Sequence, residues 1–449
     1  MKVCSPMGCD NGFAIGTNRV NFNQHVYNLS SQTWRERKIA PAVQTLPAAK
    51  DILSPEFLQN PYRVYADLCE EAAIHRINLN GPRWALVRYA ECFAFLRDPR
   101  LSSAGRVRLL LSRLPPETGS NFGELERGLE MWMLLLDAPE HSRLRKLMNK
   151  GFSPAIVEAL RTQVEAMVDA ILDAAAPAGV TRIDIVRDVA YPLPVRVIAE
   201  MLGVPTSQHR EFIAWTNALA LFFGSPVTNE TARAAQDAVL AVTDFFRKIV
   251  ADRRRHKGSD LISLLIDIEE DGHVLTEEEL YAQCVLLLFG GHETTRNLIA
   301  NGLYTVLKHP EEMADLRRNP EIIRTAVEEL LRYESPVQYV SRVAKEELEI
   351  AGLRIPAGDS VVFLLAAANR DPRKFDDPDR LNLRRLRNDH LAFGAGAHFC
   401  IGSQLARLEG QVAILKLLQK FPAMRLASEP PEWVPNFNIR GLKSLMVEV

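Results

Sequence analysis

The sequence predicts a mainly α fold with minor β, closed into one domain. Apolar residues recur at helical spacing through 154–175, 187–202, 207–222 and 229–255. One further run, Thr276 to Lys308, is about 32 residues long where a mean helix has about 11. Strand-like runs are few and short.

Residues 1–50 show neither helical nor strand periodicity and read as an N-terminal extension to a domain spanning 51–449. Pro61 to Ala73 reads as a helix, Arg83 to Val87 as a short strand, and Tyr89 to Leu96 as a helix stopped by Asp98-Pro99. Asp137 is placed to cap a helix from Pro139 to Lys150 that Gly151 ends. The longest run opens on Thr276 with Glu277, Glu278 and Glu279 in its first turn, where acids suit the helix dipole, and stops at His309-Pro310. Helices over 310–317 and 320–334, strands over 347–350 and 359–364, an irregular Pro- and Asp-rich stretch from Asp371 to Asp389, and a final helix over 401–420 complete the order.

With 54 Lys+Arg against 56 Asp+Glu the chain has a formal charge of −2, so no global field attracts nucleic acid or an anionic membrane. No apolar run approaches the roughly 20 residues that span a bilayer. The six cysteines, at 4, 9, 69, 92, 284 and 400, form no CxxC pair, which excludes a zinc ribbon and fits reduced thiols in the cytoplasm.

Three motifs carry chemistry. Phe393-Gly394-Ala395-Gly396-Ala397-His398-Phe399-Cys400-Ile401-Gly402 is a glycine-rich loop that presents Cys400 at the start of a helix, a setting that favours a thiolate and suits an axial haem ligand. It fails as a dinucleotide loop because Phe399 occupies the third glycine position. A structural turn around a buried, inert cysteine is the plain alternative. Inside the long helix, Gly290-Gly291-His292-Glu293-Thr294-Thr295 places two glycines where each costs about 1 kcal/mol relative to alanine, as expected if a flat ligand approaches the backbone. A zinc-protease reading of His292-Glu293 fails because position 296 is Arg296. Glu329-Leu330-Leu331-Arg332 puts an acid and an arginine on one helix face.

Together and in this order, the motifs resemble those of the soluble bacterial cytochromes P450 over residues 60 to 449. Phe393, Gly396, Cys400 and Gly402 match the Cys loop, Gly290 to Thr295 the oxygen-side helix motif, and Glu329 with Arg332 the E-x-x-R pair, with Arg380 matching the arginine that closes its triad. The resemblance implies a triangular-prism fold with haem b between the long distal helix and the proximal Cys-loop helix. It implies Cys400 as iron ligand, and His141, Arg145, Arg342 and His398 at the haem propionates. Gly290, Gly291, Phe393 and Gly402 would lie along the haem, Thr294 would bond dioxygen, and Glu293 would relay protons through water.

The implied activity is a monooxygenase that inserts one atom of O2 into a hydrophobic or amphipathic small molecule, by hydroxylation or epoxidation, in secondary-metabolite biosynthesis. Its electrons would come from NAD(P)H through a ferredoxin or flavodoxin and its reductase, docking on Arg143, Lys146 and Lys150. A monomer is expected, with substrate against Phe222, Phe223, Leu287, Val340 and Ile439. The alternatives are a peroxide-dependent or atypical haem-thiolate enzyme and a non-enzymatic haem sensor; Glu293 and Thr294 favour oxygen activation.

Overall fold

The computed structural model describes residues 54–449 except 80, 116–120, 206–207, 225–226 and 271–274. The expected extension over 1–50 and the cysteines at 4 and 9 lie outside the described residues.

The organising element is the helix Glu277–Leu307. A reciprocal cap starts it: Thr276 Oγ1 accepts from Glu279 N (3.1 Å) and Glu279 Oε2 accepts from Thr276 N (2.9 Å). It is apolar on most sides and buried along nearly its whole length, which suits a helix surrounded by others. The helices Pro192–Leu202, His209–Gly224, Asn229–Arg255 and Ser403–Lys420 pack around it. Glycines set the closest crossing with the terminal helix. A methyl at Gly410 would lie 3.0 Å from Leu298 and one at Gly302 3.2 Å from Ile414 and Leu330.

A five-stranded sheet flanks this helical body in the order Ile74–Asn78, Pro82–Leu86, Ser360–Phe363, Val340–Ala344, Leu101–Ser102. All neighbours are antiparallel except Pro82–Leu86 beside Ser360–Phe363, where Trp84 faces Val361. The expected strand at Arg83–Val87 is present. Its partner Ile74–Asn78 was not foreseen, because His75 and Arg76 interrupt the apolar pattern.

Two local readings need correction. The expected 154–175 helix is two, Pro154–Ala159 and Arg161–Ala175, broken at Leu160. Asp137 does not cap the helix Glu140–Met148 with its side chain. Its carboxylate instead accepts from Ser102 Oγ (2.5 Å) and Ser103 N (2.8 Å), tying the helix approach to the sheet edge.

Candidate functional site

The Cys loop folds as its glycines require. Gly394 (φ 71°) and Gly396 (φ 74°) take left-handed conformations, and a methyl on Gly396 would press to 3.1 Å from the Leu96 carbonyl. The Cys400 N–H donates to Phe393 O (2.9 Å), closing the loop so that Cys400 precedes the helix Ser403–Lys420. Arg407, on that helix, lies over the Phe393 ring (4.5 Å) and holds Glu328 through two bonds of 2.6 and 2.8 Å. Burial pushes the Cys400 thiol up, opposed by the Gly402 N–H, Arg145 and Arg407. A metal that takes the thiolate must therefore displace a proton.

Cys400 and the glycine-thinned stretch of the long helix share one cavity. The helical stripe Leu287, Gly290, Gly291, Thr294 and Leu298 lines it, as do Phe393, His398, Cys400 and Gly402. A methyl at Gly290 or at Gly402 would meet no atom within 4 Å, so both glycines leave open space on the cavity side. Gly291 differs: its methyl would touch Ile198 at 3.4 Å, so it also serves helix packing. Thr294 Oγ1 donates to Gly290 O (2.9 Å), drawing the hydroxyl against the helix backbone beside the cavity.

One end of the cavity is crowded with basic groups. His141, Arg145, Arg342 and His398 gather there as expected, and Arg106 joins them. Arg106 is held by the carbonyls of Ser103 (2.9 Å), Leu134 (2.8 Å) and Ser341 (3.3 Å). Sequence reasoning missed it because no spacing pattern singles out an arginine after Gly105. The His141 and His398 rings lie 4.0 Å apart, and Ser103 Oγ is 3.1 Å from His398 Nε2. Burial and the neighbouring cations push His398 down to about 2 and Arg106 to about 9, and burial, opposed by Asp137, brings Arg342 to about 10. Among the described residues, Arg106, Arg145 and Arg342 form no ion pair with a carboxylate; Asp137, the nearby acid, is taken up by Ser102 and Ser103.

A buried cationic cluster short of counter-ions is costly unless anions complete it. Two propionates at this end, a soft thiolate on the wall and glycine-cleared space between match haem in charge, ligand type and shape. The residues present fit the group.

Glu329 and Arg332 are fully buried, joined by bonds of 2.8 Å each from Arg332 Nε and Nη2. The third member is Arg385, whose Nε reaches Glu329 Oε2 at 3.0 Å, and not Arg380. Arg380 is exposed, and its carbonyl merely accepts from Arg385 (3.5 Å). The irregular chain after Asp376 places Arg385, five residues past Arg380, over the carboxylate.

Two other expectations need correction. Phe222 is fully buried, packs edge-on against Phe223 (5.3 Å) and does not line the cavity, whereas Phe223, Leu287, Val340 and Ile439 do. Neighbouring residues on a helix point about 100° apart, so only one of the pair faces inward. For the same reason Glu293 and Thr294 diverge. Glu293 lines a second pocket on the far side of the helix with Tyr191, Asn217 and Arg296. There Arg296 Nη2 pairs with Glu293 Oε1 (2.7 Å) while Oε2 is buried without a partner. Burial pushes this carboxyl up and Arg296 pulls it back.

On the surface, Lys146 and Lys150 are exposed on the helix that carries His141 and the turn after it, while Arg143 is engaged by Glu279. No helix among the described residues is long and apolar enough to cross a membrane.

Comparison with known proteins agrees with this geometry. Residues 121–436 match the family model for cytochrome P450. The chain is 42% identical to the cytochrome P450 monooxygenase PikC of Streptomyces venezuelae, over 88% of this chain and 92% of that one. It is 37% identical to the polyketide biosynthesis cytochrome P450 PksS of Bacillus subtilis, over 88% and 97%. Among solved structures, P450BioI in complex with hexadec-9Z-enoic acid-ligated acyl carrier protein superposes with a TM-score of 0.82 at 37% identity, covering 88% of this chain and all of that one. A cavity walled by one cysteine, a glycine-cleared helix and a cationic end, on this fold and with these likenesses, makes the chain a member of the cytochrome P450 family, as one of its monooxygenases.

Proposed function

We propose that the protein is a haem-thiolate monooxygenase that inserts one oxygen atom into a hydrophobic or amphipathic small molecule, by hydroxylation or epoxidation, in secondary-metabolite biosynthesis. The observation that carries this reading is the shared cavity, with Cys400 on one wall, Thr294 on the facing helix, and apolar side chains such as Leu109, Leu286 and Ile439 elsewhere. PikC and the polyketide-linked PksS support the biosynthetic setting.

Bound haem would supply dioxygen activation, with the thiolate's electron density favouring O–O cleavage. The chain's residues do the rest. Arg106, Arg145, Arg342, His141 and His398 bind and orient the propionates. The apolar wall excludes water from the reacting carbon. Thr294 offers a hydroxyl that donates within the cavity once it leaves the Gly290 carbonyl. Glu293 takes protons from the second pocket through its unpartnered oxygen, and a rotation away from Arg296 delivers them toward Thr294, the general acid–base work of a carboxylate.

Lys146 and Lys150 offer a cationic surface to an acidic ferredoxin or flavodoxin carrying electrons from NAD(P)H. The test supplies the haem-loaded protein with a ferredoxin, its reductase and NADPH under 18O2. One labelled oxygen atom in product supports the reading. Label that enters only from water, or product made with peroxide alone and never with O2, refutes it.

A further inference from the structure

We propose that Arg83 and Tyr339 form an anion-binding subsite on the cavity wall that anchors the carboxylate of a chain-like amphipathic substrate. The proposal rests on the oxygenase reading of the cavity. Four guanidiniums line that cavity, those of Arg83, Arg106, Arg145 and Arg342. Two propionates and the nearby Asp137 balance three of them. The other carboxyl on the wall, Glu409, is pushed far up by burial, which disfavours its charged form. Arg83 is left without a counter-ion.

Arg83 stands apart from the propionate end. It projects from the strand Pro82–Leu86, is 6% exposed, and spends two of its five N–H groups on Leu79 O (2.6 Å) and Ser360 Oγ (3.2 Å). No described carboxylate pairs with it, and burial alone pulls its pKa down. A desolvated guanidinium with free donors on a cavity wall is incomplete without an acceptor.

Tyr339 provides the second observation. Its ring stacks on Phe437 (5.0 Å, 28°), which fixes its direction. Its hydroxyl bonds to no described residue, yet both Arg83 and Arg106 act electrostatically on it. Arg83 and Tyr339 thus keep N–H and O–H donors in one cavity with no described side chain or carbonyl accepting from them. The same cavity is otherwise walled by apolar side chains, Leu109, Leu110, Val337, Ile439 and Leu287 among them. A charged head with an aliphatic tail matches that combination of surfaces, because a carboxylate accepts two parallel bonds from a guanidinium. A neutral head leaves Arg83 desolvated and unpaired.

The test titrates the haem-loaded full chain with myristate, methyl myristate and tetradecyl phosphate, following the type I spectral shift and, separately, calorimetric heat. Myristate should bind at least about tenfold more tightly than its methyl ester, the share of one buried charge-assisted contact. Arg83→Met should erase that preference by weakening the acid while the ester's Kd stays within about twofold. Tyr339→Phe, which keeps the ring stack, should cost the acid a few-fold and leave the ester unchanged, and it decides the matter if Arg83→Met does not fold. Equal binding of acid and ester by the wild type, or an acid preference that survives both variants, overturns the subsite. Tighter binding of the phosphate than of myristate overturns the carboxylate assignment. An intact thiolate band in the reduced CO spectrum of each sample separates failure of the subsite from failure of the haem-site reading.

Discussion

Arg385 and Arg380 offer a direct contest between geometry and motif. Arg385→Ala removes the 3.0 Å bond to the fully buried carboxylate of Glu329 and the 2.9 Å bond to Asp376 O. The first is charge-assisted and worth about 1.5–3 kcal/mol, the second about 1 kcal/mol. Glu329 keeps both bonds from Arg332, the Asn382 N–H (3.0 Å) and Asn388 Nδ2 (3.2 Å), so the loss stays below that of a fully orphaned buried charge. The sum is about 3 kcal/mol. With about 2.1 cal/mol/K of unfolding entropy per residue over about 400 residues, it lowers Tm by about 4 °C. Arg380→Ala removes an exposed side chain with no bond of its own among the described residues and should move Tm by less than about 1 °C. Scanning calorimetry of the haem-loaded proteins measures both. An Arg380→Ala shift as large as that of Arg385→Ala, or an Arg385→Ala shift under 1 °C, would refute the assignment.

Two further outcomes are expected. Thr294→Ala should keep the haem spectrum and substrate binding but divert electrons, so that product per NADPH falls several-fold; unchanged coupling would remove Thr294 from the proton path. Burial raises the Glu328 carboxyl, but the hydrogen bonds from Arg407 and His390 outweigh it and bring it down from 4.5 to about 2. A depressed carboxyl stabilises the fold above its unfolded pKa and loses that contribution as pH falls from about 4.5 toward 2, roughly 3 kcal/mol in all. Glu328→Gln should therefore flatten the acid limb of the stability curve in urea titrations, and parallel limbs for the two proteins would contradict this.

The helical body was legible in the sequence because long segments such as Asn229–Arg255 and Glu277–Leu307 keep their period and carry caps at both their starts. The strands were less so. Leu101–Ser102 is too short for alternation to speak, and Val340–Ala344 and Ile74–Asn78 mix Arg or His into their patterns. The site divides in the same way. Residues fixed by a local motif, such as Cys400 and the Leu287-to-Leu298 stripe, were readable from spacing and resemblance. Arg106, Arg83 and Arg385 reach their places through loops or sheet pairing that bring distant segments together, which no local pattern encodes. The resemblance put Glu293 and Thr294 at one site, whereas the helix turns the two to different pockets.

Cys400 stands where a thiolate would reach haem iron in the cavity. The most direct measurement is the reduced CO difference spectrum of the haem-loaded wild type beside Cys400→Ala. A red-shifted thiolate Soret band in the wild type, lost in the variant while the fold is retained by circular dichroism, is the result predicted. A folded, haem-loaded wild type without that band, or a Cys400→Ala variant that keeps it, would contradict the account.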